Sequence, residues 1–349
     1  MKKSGKRPAS WKRTLLTVLC VILAMILAAL ILVTAYVEML LGGINRFDDN
    51  GVTLSQEEID SILNDNNAAG TGPSMNDEDV NFGSGPSEII GGEDMINILL
   101  IGQDKREGQG RQRSDAMILC TVNTNTGTLT MTSFLRDMYV EIPGYRNNKI
   151  NACYQIGGME LLDACLEKNF GIRVDANIEI DFDGFMELID MVGGVDVELT
   201  SAEASYLNRH GNWDVEANQH WSLKAGVNTL TGSQALAYSR IRAIGMDFER
   251  TERQRRVLTA LVEKAKDLNL LEINSLITKA VTLVTTDMTN KEIFNYAAEL
   301  FPLLSDLKLH TQRIPADGTY SFADLPGAGD SIVLDFDANR KLLVETLTD

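Results

Sequence analysis

The chain has few of the residues that build metal and disulfide frameworks. Its 349 residues include only four cysteines and three histidines. No CxxC pair and no Cys/His ligand spacing occurs, which excludes a structural zinc module of the usual kind. No internal repeat is evident, so the sequence does not predict a solenoid.

Basic residues are outnumbered by acidic ones, 32 to 49, and are unevenly spread along the chain. The formal net charge is -17, although residues 1–13 carry six basic groups and no acid. The rest of the chain is therefore more acidic than the total suggests. Duplex nucleic acid requires a broad basic surface. We therefore expect no nucleic-acid partner.

A long apolar run follows the basic head. Residues 14–41 contain one charged side chain, Glu38. About 20 apolar residues span a bilayer core, whereas the apolar region of a signal peptide has roughly 7–15. The run predicts one transmembrane helix as an uncleaved anchor in the cell membrane, with a cleaved signal as the alternative. The positive head, 1–13, then predicts a cytoplasmic N-terminus and an extracytoplasmic domain.

The segment after the anchor reads as an acidic flexible linker. Residues 42–94 hold twelve acids and a single base, interrupted by Gly, Pro, Ser and Asn. Within it, Ser55 and Glu58 fit a capping box for a helix over 56–63. We assign 95–265 as the main domain and 266–349 as an extension packed on the same domain.

The remaining patterns predict an α/β fold with a central mixed β-sheet flanked by helices, because strands alternate with helices. The region 200–225 has no clear pattern, and 235–242 is ambiguous at its start and strand-like at its end. The predicted strands are 96–102, 116–123, 128–134, 195–199, 308–314 and 331–335, and the predicted helices are 151–168, 182–192, 249–268, 272–284, 290–301 and 337–347.

Two cysteines could meet if the chain turns between them. Cys153 and Cys165 are twelve residues apart in a helical region. On one straight helix they would lie about 18 Å apart, which is too far for a disulfide. Gly157 and Gly158 could supply a turn. A bridge and two free thiols both remain open.

The most informative segment is 238–256, which contains six arginines in an acidic chain. Arg240 and Arg242 are two apart in a strand-like run, so both could point to one face. Asp247, Arg250 and Gln254 follow with the spacing of one helix face. Arginine forks bind phosphate or carboxylate in bidentate fashion. The segment predicts an anion site, most plausibly for a phosphate-bearing ligand.

A second set of polar residues lies at the ends of the first three predicted strands. Asp104 follows the first strand and Asp115 precedes the second, and two such carboxylates could hold Mg²⁺ or Mn²⁺. The alternative is a solvated loop. Arg136 and Asp137 end the third strand, near both aspartates if the strands are neighbours. An ordinary ion pair is the alternative there.

Taken in order, these segments resemble the LytR-CpsA-Psr family of cell-envelope proteins over roughly 95–265. The motifs are INILLIGQD, RSDAMIL, FLRDMYV, KINACY, GGVDV, LTGSQALAYSRIR and D-x-x-R-x-x-x-Q. The resemblance implies an extracytoplasmic phosphotransferase. Such an enzyme moves an anionic glycopolymer, such as teichoic acid or capsule, from a polyprenyl-pyrophosphate carrier to peptidoglycan. One departure is Leu135, where the family usually has proline.

The resemblance also implies roles for individual residues. Asp104 and Asp115 would bind the divalent cation. Asp247 and Gln254 match the remaining polar positions of the site. Because an acceptor sugar hydroxyl needs a base, Asp247 is a candidate general base, with a structural pair with Arg250 as the alternative. We expect Asp247, Arg136 and Arg240 to be the catalytic residues. Three other arginines match no family position and are interpreted as a solvated helix face; they are Arg253, Arg255 and Arg256. The residues expected around the pyrophosphate are Arg113, Arg136, Arg240, Arg242, Arg250 and Gln254.

Two other functions share the same motifs. One is a membrane-tethered regulatory protein that binds polyprenyl phosphates without turnover. The other is a hydrolase that releases the pyrophosphate-linked lipid to water. The prenyl chain would need an apolar cavity, and an apolar stripe at helical spacing could line it or could be ordinary core. The stripe consists of Phe182, Phe185, Leu188, Ile189 and Val192.

Overall fold

The computed structural model describes residues 35–47, 54–64, 72–103, 110–210, 221–245 and 247–348. The chain divides into two compact units, Met1–Ile44 and Asn45–Asp349. In the first unit, residues 35–41 are helical. Most of the predicted anchor, 14–34, lies outside the described residues. Among those that are described, no helix is both long and apolar enough to cross a membrane.

A seven-stranded mixed sheet forms the centre of the second unit. Its strand order is β1-β10-β7-β2-β3-β4-β11. β3 is antiparallel to both β2 and β4, whereas β7 is parallel to β2 and β11 is parallel to β4. This sheet confirms the predicted α/β class. The strands are β1 (Asn45–Arg46), β2 (Met95–Gln103), β3 (Ser114–Asn123), β4 (Thr128–Phe134), β7 (Ala176–Ile180), β10 (Val284–Thr286) and β11 (Lys308–Ile314).

Helices complete the unit, together with three two-stranded antiparallel sheets among the described residues. These sheets pair β5 (Tyr139–Val140) with β6 (Asn148–Lys149), β8 (Val195–Leu199) with β9 (Gly226–Leu230), and β12 (Tyr320–Leu325) with β13 (Gly329–Leu334). The helices are α1 (Gln56–Leu63), α2 (Asn151–Phe170), α3 (Phe182–Met191), α4 (Ser201–His210), α5 (Gly232–Ser239), α6 (Asp247–Lys266), α7 (Leu270–Leu283), α8 (Asn290–Leu300) and α9 (Phe336–Thr348).

Two large apolar clusters hold these layers together. The first joins the middle strands of the sheet to α2 and α9, with Leu99, Leu119 and Leu343 fully buried. The second joins the region from α3 to α6 around β8 and β9, and includes Ile189 and Val257. Each fully buried aliphatic side chain contributes about 1.5–3 kcal/mol to folding.

Part of the predicted linker has regular structure. The helix predicted at 56–63 is present as α1, and its capping box is confirmed. The backbone N–H of Ser55 donates to the Glu58 carboxylate at 2.8 Å, and the Glu58 N–H donates to the Ser55 hydroxyl at 3.3 Å. Val80 and Ile90 are buried. Residues before 95 therefore contribute to the core of this unit.

The prediction of a strand through Arg240 and Arg242 is wrong. Residues 232–239 form α5, and Arg240 caps its C-terminus. Thr231 and Gln234 make a capping box at the start of this helix. At Gly232, a side chain would lie within 2.1 Å of the Met186 carbonyl, so α5 packs too closely on α3 for any other residue. The first part of the run 235–242 is therefore the end of α5, and the last part is a loop.

The region 200–225 also contains structure that its polar composition concealed. Residues 201–210 form α4, and 226–230 form β9 just beyond it. The helix begins at a Thr200–Glu203 capping pair, in which the Thr200 N–H donates to the Glu203 carboxylate at 2.9 Å. The T-x-x-E spacing is a sequence signal for a helix start that the sequence analysis missed.

The turn that Cys153 and Cys165 require is present. Gly157 and Gly158 have non-helical backbone angles and kink α2, with Gly158 at a φ of 60°. The kink returns the chain so that the two buried sulfur atoms lie 2.6 Å apart as free thiols. The turn that a bridge requires is thus present, and the structure has both cysteines as thiols.

Asp163 on α2 predicts a pH-dependent stability. Its carboxylate accepts a hydrogen bond from Asn177 at 2.8 Å. Burial raises the pKa of Asp163 from 3.8 to about 7; the Asn177 bond opposes this rise, and the charges of Asp287 and Glu160 increase it. Because the folded pKa is the higher one, protonated Asp163 favours folding at low pH. This contribution is lost as the pH rises from about 4 through 7.

We therefore expect Asp163→Asn to raise the melting temperature at pH 8 by about 2–4 °C, which corresponds to roughly 1 kcal/mol at this size. At pH 5, which lies between the unfolded pKa of 3.8 and the folded pKa of about 7, the gain should be much smaller. Thermal unfolding at both pH values, with the exposed Glu299→Gln as control, measures the difference. An equal shift at both pH values would contradict this assignment.

Candidate functional site

The sheet topology brings several chain segments to one edge. Since β3 runs antiparallel to β2 and β4, the end of β2, the start of β3 and the end of β4 meet there. β11 is parallel to β4 and ends at the same edge, with Arg313 opposite Ser133. Loops at such strand ends commonly carry functional residues. The edge therefore gathers Asp115, Arg136 and Arg313 from three strands.

Arg136 lies among three carboxylates at this edge. Its Nη1 lies 2.5 Å from Oδ1 of Asp115, and its Nε lies 3.5 Å from the carboxylates of both Asp137 and Asp247. Burial opposes the charge of the guanidinium, but the three carboxylates outweigh it and raise the pKa of Arg136. The predicted proximity of Arg136 to Asp115 is confirmed.

The turn that carries Arg136 is fixed by its neighbours. The Leu135 N–H donates to the carbonyl of Ile314 at 3.0 Å, which ties β4 to the end of β11. Proline lacks this donor. The departure from the expected proline thus adds a backbone hydrogen bond beside the site. The Asn151 N–H donates to the Arg136 carbonyl at 3.3 Å and fixes the other side of the turn.

Helix α6 brings the second half of the site. Its first residue is Asp247, and Oδ2 of that side chain lies 2.7 Å from Nη2 of Arg250. Arg250 is buried, and burial together with the charges of Arg136 and Arg242 lowers its pKa, although Asp247 opposes this. Its Nε has no hydrogen-bond partner among the described residues. The predicted helix face is confirmed for Asp247 and Arg250.

The other predicted arginines are less tightly clustered. Arg242 is exposed in the loop after α5, and its positive charge contributes to the lowered pKa of Arg250. The guanidinium of Arg240 lies 4.6 Å from the centre of the Phe182 ring on α3. Arg113 donates to the Ile62 carbonyl at 2.8 Å and approaches Gln155. Their roles at a pyrophosphate stay predictions.

Gln254 and Asp104 are the remaining residues of the predicted site. Gln254 is half-buried one turn after Arg250, and its Oε1 has no hydrogen-bond partner in the part of the chain that the structure describes. Asp104 lies outside the described residues. Gln103, just before it, is buried, and its side-chain oxygen accepts from the Gln112 N–H at 3.1 Å. This bond joins the end of β2 to the segment just before β3 at the sheet edge.

The interpretation of Arg253 as part of a solvated helix face is wrong. Arg253 is buried and pairs with the buried carboxylate of Glu203 at 2.8 Å. It also donates to the carbonyls of Ile241 and Ile244 at 3.0 and 2.7 Å. Arg253 therefore fixes the backbone of the loop that carries Arg242, on both sides of that residue.

The two arginines after Arg253 differ from one another. Arg255 is buried too, and burial lowers its pKa to about 10. Only Arg256 matches the expectation, with its side chain 46% exposed and paired with Glu252.

This arrangement suits a polyanionic ligand. Guanidinium groups at a partly buried edge neutralise charge more strongly than they would in water. The three carboxylates around Arg136 hold it in place, and one of them, Asp247, stands at the start of a helix beside a second arginine. Asp115 supplies the hard oxygen ligands that Mg²⁺ prefers beside phosphate. The edge can therefore bind a phosphate ester and polarise it.

Comparison with known proteins identifies the family to which the chain is similar. The model of the LytR_cpsA_psr family matches residues 63–327. A protein of Bacillus mycoides (strain KBAB4), named polyisoprenyl-teichoic acid–peptidoglycan teichoic acid transferase TagU, is 32% identical over 227 residues. That alignment covers 64% of this chain and 69% of the relative.

Two solved structures share the fold. TagT bound to LIIa-WTA is 27% identical with a TM-score of 0.60, covering 77% of this chain and 99% of that one. The LytR-CPS2A-psr family protein YwtF (TagT) with bound octaprenyl pyrophosphate lipid is 26% identical with a TM-score of 0.56, covering 77% and 99%. Both were solved with ligands that their descriptions identify as wall teichoic acid or a prenyl pyrophosphate.

Proposed function

The chain belongs to the LytR_cpsA_psr family, and we propose that it is an extracytoplasmic phosphotransferase. Its donor is an anionic glycopolymer on a polyprenyl-pyrophosphate carrier, and its acceptor is peptidoglycan. The observation that carries this proposal is the cluster of Arg136, Arg250, Asp115 and Asp247 at one sheet edge. A single-pass anchor at 14–41 would keep the domain beside the membrane that holds the lipid donor.

The cluster supports phosphoryl transfer in particular. Such transfers need charge neutralisation and in-line positioning more than covalent chemistry. Arg136 and Arg250 present their forks within reach of a common carboxylate, Asp247. A pyrophosphate oxygen between these forks would exchange contacts with that carboxylate at little cost. The two arginines would then stabilise the charge on the transferred phosphate and on the leaving phosphate.

The divalent cation is part of the proposal. Asp115 at the start of β3 and Asp104, which follows β2 in the sequence, would hold Mg²⁺ or Mn²⁺, and phosphate oxygens and water would complete the ligands of the cation. The donor set fits, because carboxylate and phosphate oxygens are what these ions prefer. The bound cation would neutralise phosphate charge. Arg136 already holds Asp115 by its Oδ1, which would orient the carboxylate toward the site.

Asp247 is our candidate for the general base. A base must reach the hydroxyl proton of the acceptor sugar, and Asp247 stands at the open start of α6 beside both arginines. The same contacts would also make it a positioning residue for Arg250. Asp247→Asn separates the two roles, because it keeps an oxygen for the arginines and loses the proton acceptor.

Arg240 tests the donor side of the site. We expect Arg240→Ala to reduce turnover by about 10²-fold or more with the fold intact, because one preorganised phosphate contact contributes roughly that much. Arg256→Ala is the matched control, since Arg256 belongs to the same segment and is exposed. Initial rates of both variants measure the difference. Near-normal turnover of Arg240→Ala would mean that the donor phosphates lie elsewhere.

The reaction products distinguish transfer from its alternatives. Full-length protein in detergent would be incubated with a polyprenyl-pyrophosphate glycolipid, Mg²⁺ and peptidoglycan oligomers. Covalent glycan–peptidoglycan product, detected by mass spectrometry, is the expected result. Lipid release without acceptor modification would favour the hydrolase. Tight lipid binding with no product would favour the regulatory protein.

A further inference from the structure

Three aromatic rings lie together at the surface beside the site. They are Phe248 on α6 and Tyr320 and Phe322 on β12, and we call them the aromatic patch. The ring centres are 4.9 Å apart for Phe248 and Tyr320, and 5.7 Å apart for Tyr320 and Phe322. Phe322 is 46% exposed, and the other two are half-buried. Large aromatic side chains exposed as a group often mark a binding surface.

The aromatic patch is physically continuous with the candidate site. Phe248 follows Asp247 directly at the start of α6. On the other side, the register of the hairpin places Phe322 opposite Ile332. The Ile332 N–H donates to the carbonyl of Asp137 at 2.9 Å, next to Arg136. Both elements that carry the rings are therefore fixed to residues of the arginine–carboxylate cluster.

A further cation borders the rings. The guanidinium of Arg313 lies 4.5 Å from the centre of the Phe248 ring and pairs with Asp317. A cation over one ring face holds that ring in place. The charge of Arg313 also reaches Arg255, whose Nε and Nη1 have no hydrogen-bond partner among the residues described here. Arg313 thus places one cation directly beside the aromatic patch, against Phe248.

The position of the aromatic patch indicates which substrate it meets. In an in-line transfer, the acceptor oxygen and the leaving phosphate oxygen lie on opposite sides of the phosphorus. The acceptor hydroxyl must come close to the base, Asp247, and the patch begins at the next residue. Arg240 instead stacks on Phe182, on the apolar stripe of α3. That end suits the lipid phosphate, which leaves the Asp247 end for the acceptor.

The chemistry of the aromatic patch fits a sugar. Pyranose rings present an apolar face that packs on aromatic side chains, while their hydroxyl, acetamido and carboxylate groups need polar partners at the edge. We propose that the aromatic patch is a subsite for a sugar ring of the acceptor glycan strand, next to the hydroxyl that attacks. This assignment rests on the proposed transferase function and adds to it the surface that recognises the acceptor.

Phe322→Ala in the full-length protein tests this subsite. We expect the KM for peptidoglycan oligomers to rise about 10-fold, because loss of a stacked ring costs on the order of 1.4 kcal/mol. The KM for the lipid donor and the thermal stability should stay unchanged. Phe322→Trp should restore the acceptor KM, because it restores a ring. Phe294→Ala is the matched control, since Phe294 is 54% exposed on α8.

Each other result overturns the subsite. An unchanged acceptor KM in Phe322→Ala would show that the ring contributes nothing. A rise in the donor KM alone would assign the patch to the donor glycan. If the wild type forms no covalent product, the proposed function fails by itself. Titration calorimetry with peptidoglycan oligomers then tests the patch separately, and equal affinities of wild type and Phe322→Ala would refute it.

Discussion

Replacement of Arg136 by alanine is expected to lower kcat by about 10³-fold or more, the range found for arginines that stabilise phosphoryl transfer. Arg136 contacts three carboxylates and stands where the strand ends meet. Its loss removes a phosphate ligand and also takes away the cation that pairs with Asp115. The transfer assay gives kcat, and circular dichroism confirms the fold.

The conservative variant sharpens this prediction. Arg136→Lys keeps the charge but loses the planar fork that reaches two partners at once. We expect it to recover less than about a tenth of the lost rate. Arg209→Ala, at the exposed end of α4, controls for loss of a surface arginine. Activity of Arg136→Ala within about 10-fold of the wild type would place the transferred phosphate away from this edge.

The largest expected effect on stability comes from Arg253. Arg253→Met should destabilise the folded protein by about 3–5 kcal/mol, because it leaves the buried carboxylate of Glu203 without its partner. It also frees the loop at Ile241 and Ile244, which carries Arg242, so turnover should fall as well. Urea denaturation at constant m-value measures the change.

A double variant identifies the cause. Glu203→Leu with Arg253→Met removes both buried charges, and much of the lost stability should return. Arg256→Met is the matched control, because Arg256 lies three residues along the same helix and is exposed. If Arg253→Met alone lowers the free energy of unfolding by less than about 1 kcal/mol, the Arg253–Glu203 pair does not stabilise this region in the way described.

The core of the site could be predicted from local patterns. Asp115 and Arg136 flank apolar runs, so they fall at strand ends, and antiparallel neighbours bring those ends together. Asp247 and Arg250 have helical spacing, and the helix is present. In both cases the pattern that predicts the position is local to the functional side chain. Local periodicity is therefore sufficient to predict where these four side chains lie in the secondary structure.

The rest depends on contacts between distant parts of the chain. The burial of Arg253 is decided by Glu203, fifty residues earlier, and no local pattern reports this. Arg240 follows an apolar run that fits a strand or a helix, and the close approach of Gly232 to α3 selects the helix. The aromatic patch combines Phe248 with a hairpin more than seventy residues later. Residue spacing along the sequence does not predict contacts of this kind.

The position of the donor phosphates tests the central claim most directly. A crystal structure of the protein with a polyprenyl pyrophosphate and Mg²⁺ would locate both phosphorus atoms. We expect them at the sheet edge, with phosphate oxygens within hydrogen-bond distance of Arg136 and Arg250 and the Mg²⁺ bound to Asp115. A pyrophosphate bound away from Arg136 and Arg250, with those arginines still paired only to carboxylates, would contradict it.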